Sequence, residues 1–411
     1  MVLLPFPRLL SPIRIVGVLA ALSGFVLLGL IDRYPISAVG NLLIVDGLSC
    51  LTISVAGLLS LTLPADWRRL AQLGALSLAL LSGHLAGLAL SLLAVCLLHE
   101  HWRERWAGIA LAGGYLLIGG LARSWLLPFS GDGLNSVSFL MLLMGAVIVS
   151  GALDLAAAQP SPFKPLAALA GLAALLRLFS VGPWNLGWQL ATLLVGAALA
   201  LSTGWRAVTT SEPLVSEEWL QRSLGGLILV GIGCASSAGV VAAGLLWWHL
   251  TLRRLAQPAA GATGWAGWLL AGAVPGTLGF VALWAVSAAA MAAGVAALAV
   301  VVWVAALLLM LAAGRQISGS VQWRSTLGGL SGLALGVTAP ALTKWALRPL
   351  SDHLQGGLTP HGTIEPWGWA GLLALDAGSR TAATAPGLAL LSLMILIGAL
   401  AWLLSRWRTW V

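Results

Sequence analysis

Apolar stretches of about 20 residues follow one another along this sequence, and almost no charge interrupts them. That is the length a helix needs to cross the hydrocarbon core of a bilayer. Only 8% of the 411 residues are charged, against roughly 25% in an ordinary soluble domain. A soluble fold would have too little polar surface to present to water. With lipid as the solvent, each segment must satisfy its own backbone hydrogen bonds, which helices do. Weak alternation and abundant Ala, Leu and Gly argue against a membrane β-barrel. The expectation is an all-α fold, a polytopic transmembrane helix bundle of about 14 spans forming one membrane domain over residues 1–411.

The spans are expected near 13–31, 43–63, 70–82, 84–99, 106–122, 134–155, 164–180, 186–204, 218–233, 237–253, 264–284, 286–312, 327–347 and 386–405. The longest polar loops fall at 205–222 and 348–385, and the second has room for an interfacial helix. The first apolar stretch follows Arg8 and Arg14 and ends without a small-residue cleavage site, so it reads as a retained span.

The net charge of +8 is carried mostly by arginine, since all but Lys164 and Lys344 of the 21 cationic side chains are Arg. No basic block is interleaved with aromatics, so nucleic acid is not an expected partner. The cations sort by loop instead. Arg8, Arg14, Arg68, Arg69, Arg103, Arg105, Lys164, Arg206, Arg253, Arg254, Arg315, Arg324, Arg406 and Arg408 fall on one side of the expected topology. Arg33, Arg123, Lys344, Arg348 and Arg380 fall on the other. Cytoplasmic loops carry the excess of Lys and Arg, which puts both termini in the cytoplasm. Among the 21 Trp residues, Trp67, Trp102, Trp106, Trp184, Trp205, Trp219, Trp323, Trp407 and Trp410 sit at expected span ends, where indole rings meet headgroups. Trp247 and Trp248 lie inside a span and read as packing residues.

Soluble chemistries find no footing. There is no phosphate-binding loop, no metal-binding His-Glu-x-x-His and no nucleophile elbow. Cys50, Cys96 and Cys234 occur singly in apolar runs and suit neither a disulfide nor a metal. No cofactor is expected. Chemistry would have to come from ionisable groups inside the membrane, each costing roughly 2.5–3.5 kcal/mol at mid-depth. The candidates are Asp46, His84, Asp154, Arg177, His249, Arg253 and Lys344. Arg177 and Lys344 lie near span ends, where long side chains reach water. His249 and Arg253 stand one turn apart on a helix face. A histidine exchanges a proton near neutral pH and an arginine does not. No carboxylate stands out at mid-membrane to pair with Arg253.

Three motifs in order carry a family resemblance. Asp46-Gly47-Leu48-Ser49 opens a span on the outer side. Trp248-His249 is followed by Arg253-Arg254-Leu255. Leu270-Ala271-Gly272-Ala273-Val274-Pro275 is followed by Gly279-Phe280. A weaker match runs from Leu175 to Phe179. In these features the chain resembles the antiporter-like membrane subunits of respiratory complex I, membrane-bound hydrogenases and multi-subunit cation/proton antiporters. The resemblance implies a transport helix broken around Gly272, Pro275, Gly279 and Phe280. It also implies a proton or ion path through His249, Arg253, Asp154 and Asp46.

The departures from the family pattern matter as much. The family's glutamate would fall near Leu93, its central lysine near Asp154, and the lysine after Gly-Phe near Leu283. The Pro-Phe-His motif has shrunk to Pro160-Ser161-Pro162-Phe163. Most titrating links are therefore absent. The implied role is a divergent subunit of a complex-I-related assembly, of NADH-quinone oxidoreductase or membrane hydrogenase type, serving as scaffold or partial proton/cation path. It would be no enzyme alone. Its partners would be other membrane subunits, the lipid bilayer, and protons or monovalent cations, in a bacterial inner membrane. A free-standing secondary transporter would show two similar halves and a polar site at mid-depth. A membrane-embedded transferase would draw on Asp352, His353, His361 and Glu365 in the 348–385 loop.

Overall fold

The computed structural model describes residues 12–31, 36–38, 41–63, 66–98, 102–122, 125–127, 134–151, 164–257, 268–270, 274, 276–317, 323–367 and 372–376. The expected last span, 386–405, lies outside the described residues, as do Asp154, Gly272 and Pro275. The fold is all-α, with two short antiparallel hairpins: β1 (Ile36–Ala38) with β2 (Leu43–Val45), and β3 (Thr363–Trp367) with β4 (Leu372–Asp376).

The chain divides into two compact units. The first comprises Met1–Ser150, Lys164–Trp188 and Arg348–Leu358. It holds α1 (Pro12–Leu30), α2 (Gly47–Ser60), α3 (Trp67–Leu81), α4 (Leu85–Leu97), α5 (Trp102–Leu121), α6 (Ser136–Val149) and α7 (Pro165–Arg177). Every residue of α7 is buried, and α2, α3, α4, α5 and α6 all pack on it. A helix that is apolar all round belongs at the centre of a bundle, and α7 has Pro165 at its start, where a missing N–H costs nothing. Asp46 caps α2 and Asn135 caps α6, each in a reciprocal box with the serine three residues on. An aromatic cluster closes one end of this unit. Trp184 stacks on Phe179 at 4.5 Å and meets Phe139 edge-on at 5.0 Å. Trp184, only 4% exposed, is thus a core residue and no headgroup anchor. Trp67 and Trp102 keep the expected exposure, at 68% and 63%.

The second unit contains most of α8 (Leu186–Thr209), then α9 (Pro213–Gly233), α10 (Ser237–Ala256), α11 (Leu278–Ala292), α12 (Ala296–Arg315) and α13 (Trp323–Val337). Here α10 is central, with α9, α11 and α13 against it. The expected polar loop 205–222 shrinks to Thr210–Glu212, because α8 runs on to Thr209 and Pro213 starts α9. The spans expected at 264–284 and 286–312 are shifted: α11 and α12 meet at a turn where Gly294 takes φ 78°. Glycine allows that left-handed turn at no steric cost. The span expected at 327–347 is bent by 70° between Val337 and Ala339. Beyond the bend come a helical turn, Ala339–Leu342, with Pro340 in it, and a π-helical turn, Thr343–Leu347. Among the described residues of the 348–385 loop are the short helix α14 (Arg348–His353) and the β3–β4 hairpin.

Among the described residues, Leu186–Thr209 and Ala296–Arg315 are long and apolar enough to cross a membrane, and the bent pair makes a third if taken as one span. Six shorter apolar helices accompany them, and large side chains point outward from several: Leu30, Leu90, Leu194 and Val300 are each more than 60% exposed. An exterior with apolar faces of this kind calls for a covering other than water.

Candidate functional site: buried charge in two helix bundles

In the second unit the turn from α9 to α10 is tight and centres on Ala235. Glu217 lies eighteen residues before that alanine and Arg253 eighteen after it. In an antiparallel helical hairpin, equal distances bring side chains to the same level, here about 27 Å from the turn at 1.5 Å per residue. The two meet there. Arg253 Nε donates to Glu217 Oε1 at 2.8 Å, and a terminal nitrogen donates to Oε2 at 2.7 Å. This is the fork-to-fork arrangement that suits guanidinium and carboxylate. The residues are 3% and 4% exposed. Each is also well placed on its helix, an acid near an N-terminus and a base near a C-terminus.

Around the pair lies a polar network. Gln221 donates to Glu217 and to Gln257, both at 3.2 Å. Arg254 donates to Gln221 and Gln257, both at 3.0 Å, and reaches Glu218. Trp219 has the guanidinium of Arg206 at 5.0 Å and that of Arg222 at 5.3 Å from its ring centre. Cation–π contact of this kind holds like charges near one aromatic ring. Trp219, 1% exposed, is buried here and is not a headgroup anchor.

One turn deeper than Arg253 is His249. It is 0% exposed, and among the described residues neither ring nitrogen has a hydrogen-bond partner. Gly279 of α11 faces it so closely that a Cβ there would run into the imidazole. Thr277 caps α11, so Gly279 and Phe280 occupy its first turn. Buried polar atoms are nearly always satisfied by protein or by ordered water. His249 is thus an exception in this bundle, a buried polar side chain that the described residues leave unsatisfied.

In the first unit, Arg177 ends α7 and Asp46 caps α2. Both terminal nitrogens of Arg177 donate to the Asp46 carboxylate, and one also donates to Leu80 O at 2.7 Å. Asp46 Oδ1 accepts from Ser49 N at 2.8 Å. Arg177 is 2% exposed, so it is a buried partner of Asp46 and does not reach water. A further pair, Lys164 with Glu104 at 2.8 Å, lies near the starts of α7 and α5.

Of the residues singled out in the sequence, His249, Arg253, Gly279 and Phe280 come together in the second unit, and Asp46 belongs to the first. Glu217, Glu104 and Lys164 were missed as site residues. The carboxylate absent from the sequence reading is Glu217, hidden because hydropathy started its span at 218. Glu212-Pro213 signals a helix start five residues earlier. Asp352 and His353 sit on α14, and Glu365 on β3. Among the described residues no group of three or more His, Cys, Asp or Glu side chains is placed to hold a metal ion.

By sequence, neither a family model nor a curated protein matches the chain. Solved structures do. A chain of the Mrp complex from Dietzia sp. DQ12-45-1b aligns with TM-score 0.65 and 15% identity, covering 85% of this chain and 94% of that one. A chain of the archaeal membrane-bound sulfane sulfur reductase, a respiratory membrane complex, aligns with TM-score 0.61 and 14% identity, covering 84% and 92%. A chain of respiratory complex I from Thermus thermophilus aligns with TM-score 0.52 and 20% identity, covering 83% and 94%. The fold is the antiporter-like one. The chain shares that architecture with chains of multi-subunit membrane complexes.

Proposed function

We propose that the chain is a divergent antiporter-like subunit of a complex-I-related membrane assembly, acting chiefly as scaffold and carrying at most a partial proton or monovalent-cation path. In this reading it crosses a bacterial inner membrane about 14 times, with both termini in the cytoplasm. Its partners are other membrane subunits.

One observation carries the scaffold part. Arg177 is tied to Asp46, and Arg253 to Glu217. An arginine stays protonated, so a guanidinium clamp fixes charge and does not pass a proton on. In the second unit, among the described residues, His249 is a buried group that can exchange one. A relay needs successive titrating groups within hydrogen-bond reach, and a single histidine beside a locked pair supplies one link. Asp154, with Gly272 and Pro275 of the broken-helix motif, completes the set of path residues proposed here.

The test is gentle-detergent purification of the tagged protein with mass spectrometry of what co-elutes. Stoichiometric quinone-reductase, hydrogenase or other antiporter-like subunits support the reading. Elution alone, with robust ion flux in liposomes, would overturn it in favour of a free-standing transporter.

A further inference from the structure

The chain leaves the first unit after Trp188 and returns to it only for Arg348–Leu358. That short return lies against two helix ends. At one end, a Cβ on Gly47 would strike the backbone of Pro349 and Leu350. At the other, a Cβ on Gly357 would strike the backbone of Phe179. Gly47 follows Asp46 at the start of α2, and Phe179 follows Arg177 at the end of α7. The segment therefore touches both of the elements that carry the buried pair.

His353 makes the polar contact between the segment and α2. Its Nδ1 accepts from Gly47 N at 2.8 Å. The first amides of a helix have no partner within it. Asp46 spends Oδ1 on the amide of Ser49 and turns both oxygens to Arg177. The Gly47 amide goes to His353 instead. Without His353, the Gly47 amide is either left bare or competes for the carboxylate that holds Arg177.

We propose that residues Arg348–Leu358 form a clasp latched by His353, which takes the Gly47 amide and so keeps Asp46 aimed at Arg177. His353 is thereby a positioning residue for the Asp46–Arg177 pair. The latch has a chemical condition. Nδ1 accepts only while its lone pair is free, and a doubly protonated ring has two donors and no acceptor. Among the described residues, Asp46, next to Gly47, is bonded to Arg177, and Arg348 and Asp352 of the helix that carries His353 pair at 3.7 Å. This inference is independent of whether the chain conducts ions or belongs to a larger complex.

The experiment uses the full chain in nanodiscs, with His353→Asn and His353→Ala. Asparagine offers a neutral side-chain oxygen as acceptor and does not titrate. At pH 8, hydrogen exchange of the peptide containing Gly47 is expected to rise about tenfold in H353A and to stay near the wild-type rate in H353N. Exchange in H353A within twofold of wild type would overturn the latch. So would an H353N that exchanges like H353A.

Discussion

Truncating Glu217 to alanine would strand the Arg253 guanidinium among buried side chains. The loss can be worked from the contacts. Two charge-assisted hydrogen bonds, at 2.8 and 2.7 Å, disappear together. The nearby acceptors are already in use, since Glu218, Gln221 and Gln257 take Arg254. Removing one partner of a buried pair costs about 3–5 kcal/mol, because the other charge remains without its counter-ion. Glu217→Ala is therefore expected to lose about 4 kcal/mol. Replacing both partners with apolar residues of similar volume removes the stranded charge. Glu217→Leu with Arg253→Met is expected to lie within about 1 kcal/mol of wild type, or above it. The assay is reversible unfolding from mild detergent into a denaturing one, followed by the fluorescence of the 21 tryptophans. A double-mutant cycle of Glu217→Leu, Arg253→Met and the pair should then show the double variant losing less than the sum of the singles, a coupling of at least about 3 kcal/mol. A loss below about 1 kcal/mol for Glu217→Ala, or a double variant as unstable as the single, would refute the assignment of this pair as a buried mutual clamp.

Two further expectations turn on His249. Both ring nitrogens are buried without partners, so His249→Leu should leave stability unchanged or raise it by about 1–2 kcal/mol in the same unfolding assay, while abolishing any proton flux in liposomes. A marked loss of stability would show that the ring is bonded in the bundle. Gly279→Val puts a branched side chain against the imidazole and should cost about 1–3 kcal/mol. Most of that cost should vanish in a His249→Ala background, and simple additivity would show that the two positions do not touch.

The helix ends were legible wherever local chemistry marks them. Asp46 with Ser49 is a capping box that can be read directly, and the span it opens was placed within a few residues. Ends without such a signal drifted. Hydropathy ran through 264–284 and 286–312 because Ala and Val continue across the turn, and Gly294 was one glycine among 50. Partners were harder still. Arg177 reads as a snorkelling side chain when only its own span is considered, yet its carboxylate lies 131 positions away. Glu217 with Arg253 is intermediate. Their equal spacing from Ala235 is visible in the sequence, but it becomes informative only once Glu212-Pro213 is taken as the start of α9.

The sequence by itself determined the solvent and the class of fold. A chain with 8% charged residues and successive apolar runs must satisfy its backbone in helices and turn apolar faces outward. It also carried the order of motifs that points to the antiporter-like architecture. Tertiary structure decided which charges are bonded and which stand alone. Arg177 is a lone ionisable side chain in its apolar stretch, His249 and Arg253 share theirs with Arg254, and nothing local tells which of them is bonded. Packing α7 against α2 gives Arg177 a carboxylate, and folding α9 back along α10 gives one to Arg253. The approach of α11 through Gly279 encloses His249 without a hydrogen-bond partner. Those differences arise because a buried charge is set by what the neighbouring helix brings to the same depth, and that depth depends on contacts between segments far apart in the chain.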